Sequence, residues 1–336
     1  MLKHQVIANA HLLRDLTSDY DIFESSEFRV LHRHMVKSLP ERDELPVPEI
    51  DAADATREAI VNLSHDFTFP TVVRGALKGA ACLTEWTKKS FWMEKFAEEL
   101  VVATSKEKSA MHTMRDFFEP GAGLYIAGAA SIFERNPELK GMIDNDVTQM
   151  TMPDGPDAGA FFYQMFMGWK SQGTTIHCAI GTNIFRQIAG RKKWYFLPPS
   201  QTPYVYPKMY TNGYSGTSKT VQSHKDGTSA PWWNKLERYT TTLEPGDILV
   251  NPAWWWHAVE NFAEDDELVI GCPTRFDSPE RAMKVDEFKT LIATWKALTA
   301  KRAYSNKGGG GLKAALAFEQ SLVENREETY QMLALG

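Results

Sequence analysis

His177 and His257 are the two residues of this 336-residue chain best suited to hold a metal ion. Two histidines and one carboxylate on a single face form the usual set around non-haem Fe(II), and they leave positions open for a co-substrate and oxygen. His177 lies in "GTTIHCAIGTNIF" (173–185), and His257 lies 80 residues later in "NPAWWWHAVENF" (251–262). Both runs have the texture of strands, where alternate residues share a face. Residues 177 and 179 therefore point one way and Cys178 the other. A His-x-Asp ligand pair would carry its acid at 179, and this chain has Ala179 there. Residues 158 to 225 contain neither Asp nor Glu, so a slipped register does not supply one. Cys178 reads as a small buried residue. His224, Asp226 and Glu260 reach the site only if loops fold back. Taken singly, each histidine is as readily a packed core residue.

The elements that must position these residues change character along the chain. Residues 1–65 read as a polar, Pro-punctuated extension with a short helix near 55–63, for which Asp54 is a fair N-cap. "TFPTVVRGAL" predicts a buried strand ending at Gly75, and 83–100 predicts a helix with Trp86, Met93, Phe96 and Leu100 along one face. From 160 onward the segments are short, β-branched and aromatic, separated by Gly, Pro or charged turns such as "GRK" (190–192) and "EPGD" (244–247). That pattern predicts an antiparallel barrel or jelly roll, mainly β with helical additions. Residues 278–336 return to helical spacing, with Phe288, Leu291, Ile292, Trp295 and Leu298 in one stripe. The expected organisation is an N-terminal extension (1–65), a β-domain with its leading helices (66–277) and C-terminal helices (278–336).

Composition narrows the function classes. The net charge of −6 disfavours coating of nucleic acid, whose phosphates call for a basic surface. No apolar run is long enough to span a bilayer. The first residues do not read as a signal peptide, and the three separated cysteines form no disulfide framework, so a reducing, cytoplasmic setting is expected.

"FPTVVRGAL", "TTIH", "NIFRQIAGRKKWYFLPPS" and "LEPGDILVNPAWWWHAVEN" together resemble the JmjC or cupin-like Fe(II)/2-oxoglutarate oxygenases over residues 66–277. The last piece is the most specific, because PGD, a Pro before aromatics and WxHxVxN occur together. The resemblance implies a double-stranded β-helix with Fe(II) on His177 and His257 and with 2-oxoglutarate and O2 beside it. It places the family's carboxylate-binding lysine on Lys192, fifteen residues after His177, where an ammonium group neutralises the distal carboxylate of 2-oxoglutarate. It also places co-substrate contacts on Asn183 and Thr174, while Lys193 turns outward. Without the resemblance Lys192 would read as a hairpin-edge lysine in solvent.

Ala179 departs from that family. "HCA" matches the His-x-Ala form of the 2-oxoglutarate-dependent halogenases, in which chloride or bromide takes the carboxylate's place on iron. A halogenase acting on an aliphatic C–H bond is the expectation. The alternatives are a hydroxylase with a two-histidine site and a non-catalytic binding protein. Tyr163, Trp169, Trp194, Tyr204, Tyr206, Trp232 and Trp233 are candidate walls of a substrate pocket or packing of the core. Segment 206–240 is expected to cover the site, and Arg275 is a candidate anion contact. A small-molecule substrate is expected, with a homodimer through the C-terminal helices as one option.

Overall fold

The structure, a computed structural model, describes residues 35–276 apart from 106–107, 153–160, 171, 206, 210–214, 219–231 and 265–266, together with Arg33 and Val285. The helices expected over 278–336 and the homodimer expected through them lie outside these residues, as do Tyr206, His224 and Asp226.

Among the described residues seventeen strands carry the fold: β1 (Glu44–Pro46), β2 (Glu49–Asp51), β3 (Thr71–Arg74), β4 (Leu100–Ser105), β5 (Lys108–Thr113), β6 (Tyr125–Ala129), β7 (Phe161–Tyr163), β8 (Met165–Gly168), β9 (Gly173–Ala179), β10 (Thr182–Ala189), β11 (Arg191–Leu197), β12 (Pro207–Met209), β13 (Ser215–Ser218), β14 (Arg238–Leu243), β15 (Ile248–Asn251), β16 (Trp256–Phe262) and β17 (Val269–Phe276). One sheet runs β1-β14-β11-β16-β9-β13-β12. The other runs β2-β3-β15-β10-β17-β8-β6-β4-β5, with β7 beside β17. Strands that follow one another, such as β9, β10 and β11, alternate between sheets. The result is the jelly roll expected of the sequence, a double-stranded β-helix.

Three apolar layers account for its cohesion. Between the sheets lie Val72, Phe185, Trp194, Phe196, Leu249, Trp255 and Val259. The outer face of the second sheet packs Ile184, Val250 and Ile270 against Trp86, Trp92 and Phe133 of the leading helices. The outer face of the first sheet buries Ile176, Cys178, Trp254 and Trp256 with Tyr204 and Trp233. Of the run Trp254-Trp255-Trp256, Trp255 faces inward with the barrel layer, while Trp254, in the turn before β16, and Trp256 pack on the outer face.

Local departures from the sequence expectation have physical causes. Thr56, not Asp54, caps the first helix (Arg57–Leu63) by accepting from the Ala59 N–H. The helix expected over 83–100 is broken into Cys82–Glu85 and Lys89–Lys95, and Leu100 begins β4. Lys88 adopts an extended conformation between the two pieces, and the Trp92 indole donates to the Trp86 carbonyl at 2.7 Å across the break. Turns stand at both expected places, with Gly190 and Gly246 at positive φ, but the hairpin expected at 190–192 is instead a corner between sheets, because β10 and β11 lie in different sheets and do not pair. Cys82, Cys178 and Cys272 are buried free thiols. Among the described residues no helix is long and apolar enough to cross a membrane.

Candidate metal and co-substrate site

His177 on β9 and His257 on β16 are direct cross-strand partners, and their rings lie 4.1 Å apart between centroids. Each Nδ1 lies against the carbonyl two residues earlier in its own strand, 2.9 Å from Thr175 for His177 and 2.8 Å from Trp255 for His257. A carbonyl only accepts, so Nδ1 carries the hydrogen in both rings. Nε2 is then left as the lone-pair nitrogen, the arrangement that orients metal-binding histidines.

Burial holds the His177 imidazole down to about 4, against the opposing pull of the Thr175 carbonyl and with help from the Arg275 charge. His257 lies well below its ordinary value through burial, then through His177 and Arg275. Both rings are therefore neutral near pH 7. The unfolded chain takes up protons near pH 6.5 and the folded protein does not. Stability of the metal-free protein is expected to fall as pH drops from about 6.5 towards about 4. Urea midpoints across that window measure it, and His257→Gln should flatten the slope. An unchanged slope in that variant would place the protons elsewhere.

A β-bulge decides what else faces the histidines. Between His257 and Val259 on β16 the partner residues step from His177 to Thr174, so β9 carries one extra residue. Strict alternation would set Thr174 on the face opposite His177. The bulge brings it back beside Val259, inside the barrel. Gly173 permits the close approach, since a Cβ there would stand 2.0 Å from the Val259 carbonyl oxygen. Asn183 faces inward from the second sheet, paired with Asn251 on one side and Arg275 on the other. Arg275 donates from Nε to Gln164 Oε1 at 2.6 Å.

Lys192 enters from β11, opposite Asn261, with only 1% of its surface exposed. Its Nζ donates to Asn261 Oδ1 at 2.6 Å and stands 6.0 Å over the Tyr125 ring. Burial pushes the Tyr125 phenol up, so it stays a neutral hydrogen-bonding group. Lys193 points outward over Tyr195.

The fit of a metal and a dicarboxylate can be judged from the interior polar atoms. Thr174 Oγ1, Asn183 Oδ1, Asn251 Oδ1 and Trp194 Nε1 are buried there without a hydrogen-bond partner, a condition folded proteins seldom tolerate without purpose. Two neutral imidazoles suit Fe(II), Zn or Cu. The buried ammonium of Lys192 suits an anion. These groups fit the pair of ligands.

The carboxylate stays missing. Ala179 ends β9, and among the described residues no group of three or more His, Cys, Asp and Glu is arranged to hold an ion. Glu260 pairs with Lys193 on the outer face, away from His257, so it does not substitute. The Ala179 carbonyl instead accepts from the Trp254 N–H at 2.7 Å, and Trp254 is held at φ 64.

Of the aromatic candidates, Trp194 stacks on His257 at 5.7 Å between centroids. Tyr163, Tyr204 and Trp233 lie in the outer layers. Trp169 lines a separate cavity of about 390 Å³ with Leu83, Phe118 and Leu268. Within the segment 206–240, β13 pairs with β9 along His177 to Ala179, at the histidine end of the barrel. Tyr125 and Asn251 were not singled out from sequence, and Asn261 entered only as the last residue of the WxHxVxN run, with no role given to it. Asn261 had a signal, because 257, 259 and 261 share a face by alternation. Asn251 had none, because its place depends on the β10–β15 register.

The sequence profile described as "Cupin-like domain" matches residues 101–274. Human HSPB1-associated protein 1 is 38% identical over 99 residues, 29% of this chain and 20% of the human protein. Jumonji C domain-containing protein 5 of Drosophila melanogaster is 22% identical over 234 residues, 65% of this chain and 57% of that protein. Arginine-specific demethylase JMJ20 of Arabidopsis thaliana is 29% identical over 106 residues, 30% of this chain and 21% of that protein. The chain thus matches only about a fifth to a quarter of the length of the HSPB1-associated relatives. A jelly roll that pairs two histidines across β9 and β16, under a profile spanning more than half of the sequence, makes this chain a member of the cupin-like domain family.

Proposed function

We propose that this protein is an Fe(II)- and 2-oxoglutarate-dependent oxygenase acting on an aliphatic C–H bond of a small molecule. The observation that carries this reading is the shared interior face of His177, His257, Thr174, Asn183 and Lys192, drawn from both sheets. When bound, iron and 2-oxoglutarate would supply the oxidant that removes a hydrogen atom from the substrate. His177 and His257 would hold the metal through Nε2. Lys192 would meet the distal carboxylate of the co-substrate, with Tyr125 and Thr174 beside it. Phe185, Trp194, Phe196 and Val259 keep water from this end of the barrel. Arg275 offers a cation at the level of Asn183 and would favour a substrate with an anionic group. Similar proteins carry names as different as an arginine-specific demethylase and a "tRNA wybutosine-synthesizing protein 5" of Gallus gallus, so the barrel alone does not choose the substrate. The test is succinate release from 2-oxoglutarate under air with added Fe(II), alongside calorimetric 2-oxoglutarate binding with and without metal. Neither metal-dependent binding nor succinate would leave a non-catalytic barrel as the answer.

One observation favours a second reading, halogenation. Ala179 leaves open the position next to His177 that a carboxylate would occupy, and chloride or bromide there would balance the ion's charge. Product formation would then depend on halide. Ala179→Asp is expected to abolish halogenated product and to tighten metal binding by roughly tenfold, the scale of changes around metal ligands. Mass spectrometry of the product reports the first and Co(II) titration the second. Halogenated product surviving in that variant would sink the halide reading.

A further inference from the structure

Asn251 is placed where a ligand would be, although no sequence motif marks it. It ends β15, it is 2% exposed, and its backbone is paired with Asn183. Its Nδ2 lies 3.2 Å from His257 Nε2, the nitrogen left free by the bond from Nδ1 to the Trp255 carbonyl. Its Oδ1 is buried with no partner. The amide thus spends its donor on the metal-binding nitrogen and leaves its acceptor unused in the same space.

A half-turn of the amide exchanges the two atoms with little change of shape. Oδ1 would then stand about 3.2 Å from Nε2. Two lone pairs at that distance repel unless a cation lies between them. Neighbouring ligands about 2.1 Å from an octahedral ion are roughly 3 Å apart, so the spacing is that of two ligands on one ion. Amide carbonyl oxygen is a hard, neutral donor that serves in Ca²⁺ sites and belongs with the oxygen ligands that suit Mg²⁺ and Mn²⁺.

We infer that Asn251 is the third protein ligand of the metal site, through Oδ1, in place of the acid that Ala179 lacks. The inference rests on the proposed two-histidine metal site and sharpens it. Three protein donors and a chelating dicarboxylate leave a single position for a co-reactant, so a halide has no place beside them. Hydroxylation is then the expected outcome rather than halogenation. In the metal-free protein the same amide turns its donor to His257 and keeps the ring in place.

Co(II) binding to the full chain tests this, because its visible absorption reports ligand number as well as affinity. Wild type, Asn251→Val, Asn251→Asp and His257→Ala would be compared, with circular dichroism and thermal midpoints confirming that each is folded. Asn251→Val should bind Co(II) at least about tenfold more weakly and shift the absorption. Asn251→Asp, nearly isosteric and anionic, should bind at least about tenfold more tightly than wild type. Equal affinity and identical spectra for wild type and Asn251→Val would overturn the assignment. So would weaker binding with an unchanged spectrum, which would make Asn251 a positioning residue for His257. If wild type itself binds neither Co(II) nor Fe(II), the metal site fails as a whole, and that result is separate from both.

Discussion

Lys192→Met is expected to weaken 2-oxoglutarate binding about 100-fold while changing Co(II) affinity less than about threefold. Truncating one member of a buried charged pair costs on the order of 2–5 kcal/mol, and 100-fold corresponds to about 2.7 kcal/mol. Lys192 is built for that cost. It is 1% exposed, its ammonium is steadied by the Asn261 carbonyl oxygen at 2.6 Å, and the Tyr125 ring lies 6.0 Å away. Methionine keeps the length and apolar stem and removes only the charge. The metal ligands come from β9 and β16, so their affinity has no reason to follow. Lys192→Arg should be nearly as poor, since a planar fork has no room where a compact ammonium is enclosed. Calorimetry with each ligand separately decides the matter. Equal losses for metal and 2-oxoglutarate would mean that Lys192 supports the barrel rather than the co-substrate.

Asp144→Ala is expected to cost about 3–5 kcal/mol of stability, the range for removing one partner of a buried ion pair. The Arg186 side chain is fully buried on the outer face of β10, with Nη2 donating to Asp144 Oδ1 at 2.9 Å and Nη1 to Thr274 Oγ1 at 2.6 Å. The Tyr163 hydroxyl donates to the other carboxylate oxygen, and the Arg186 guanidinium lies 5.6 Å from the Tyr163 ring. Asp144 comes from the short connection between two helices, so this cluster joins the leading segment to the barrel. Without the carboxylate the guanidinium keeps its charge and loses its counter-ion. Replacing both, as Arg186→Met with Asp144→Leu, should recover most of the loss, because apolar packing replaces buried ion pairs well. Urea unfolding of the two single variants and the double variant gives the coupling. A loss under about 1 kcal/mol for Asp144→Ala would show that solvent already satisfies Arg186.

The barrel was readable because its signals are local. Period-two patterning and the turns at Gly190 and Gly246 are written in neighbouring residues. His177 and residue 179 could be placed on one face by counting, whereas Lys192 and His257, on other strands, were joined to that face by the family resemblance. Thr174 could not be reached by counting, because one extra residue in β9 reverses its face and only the partner strand reveals the bulge. The helix over 83–100 failed for a similar reason. Its periodicity was sound, but bonds formed across the break, including Trp92 to Trp86, outweighed continuation. Tyr125 and Asn251 reach the site through pairings between distant strands, which spacing within one strand does not encode.

The hydrogen bond from the Trp254 N–H to the Ala179 carbonyl bears on how such a site can change over time. It fixes the end of β9 through main-chain atoms alone, and the left-handed turn at Trp254 holds the donor in place. The path of the chain at 179 therefore does not depend on which side chain is present. An acid could be lost there, or restored, without disturbing the strand that carries His177. The barrel separates its architecture from its ligand set, and that makes residue 179 a natural point of divergence for chemistry within one unchanged frame.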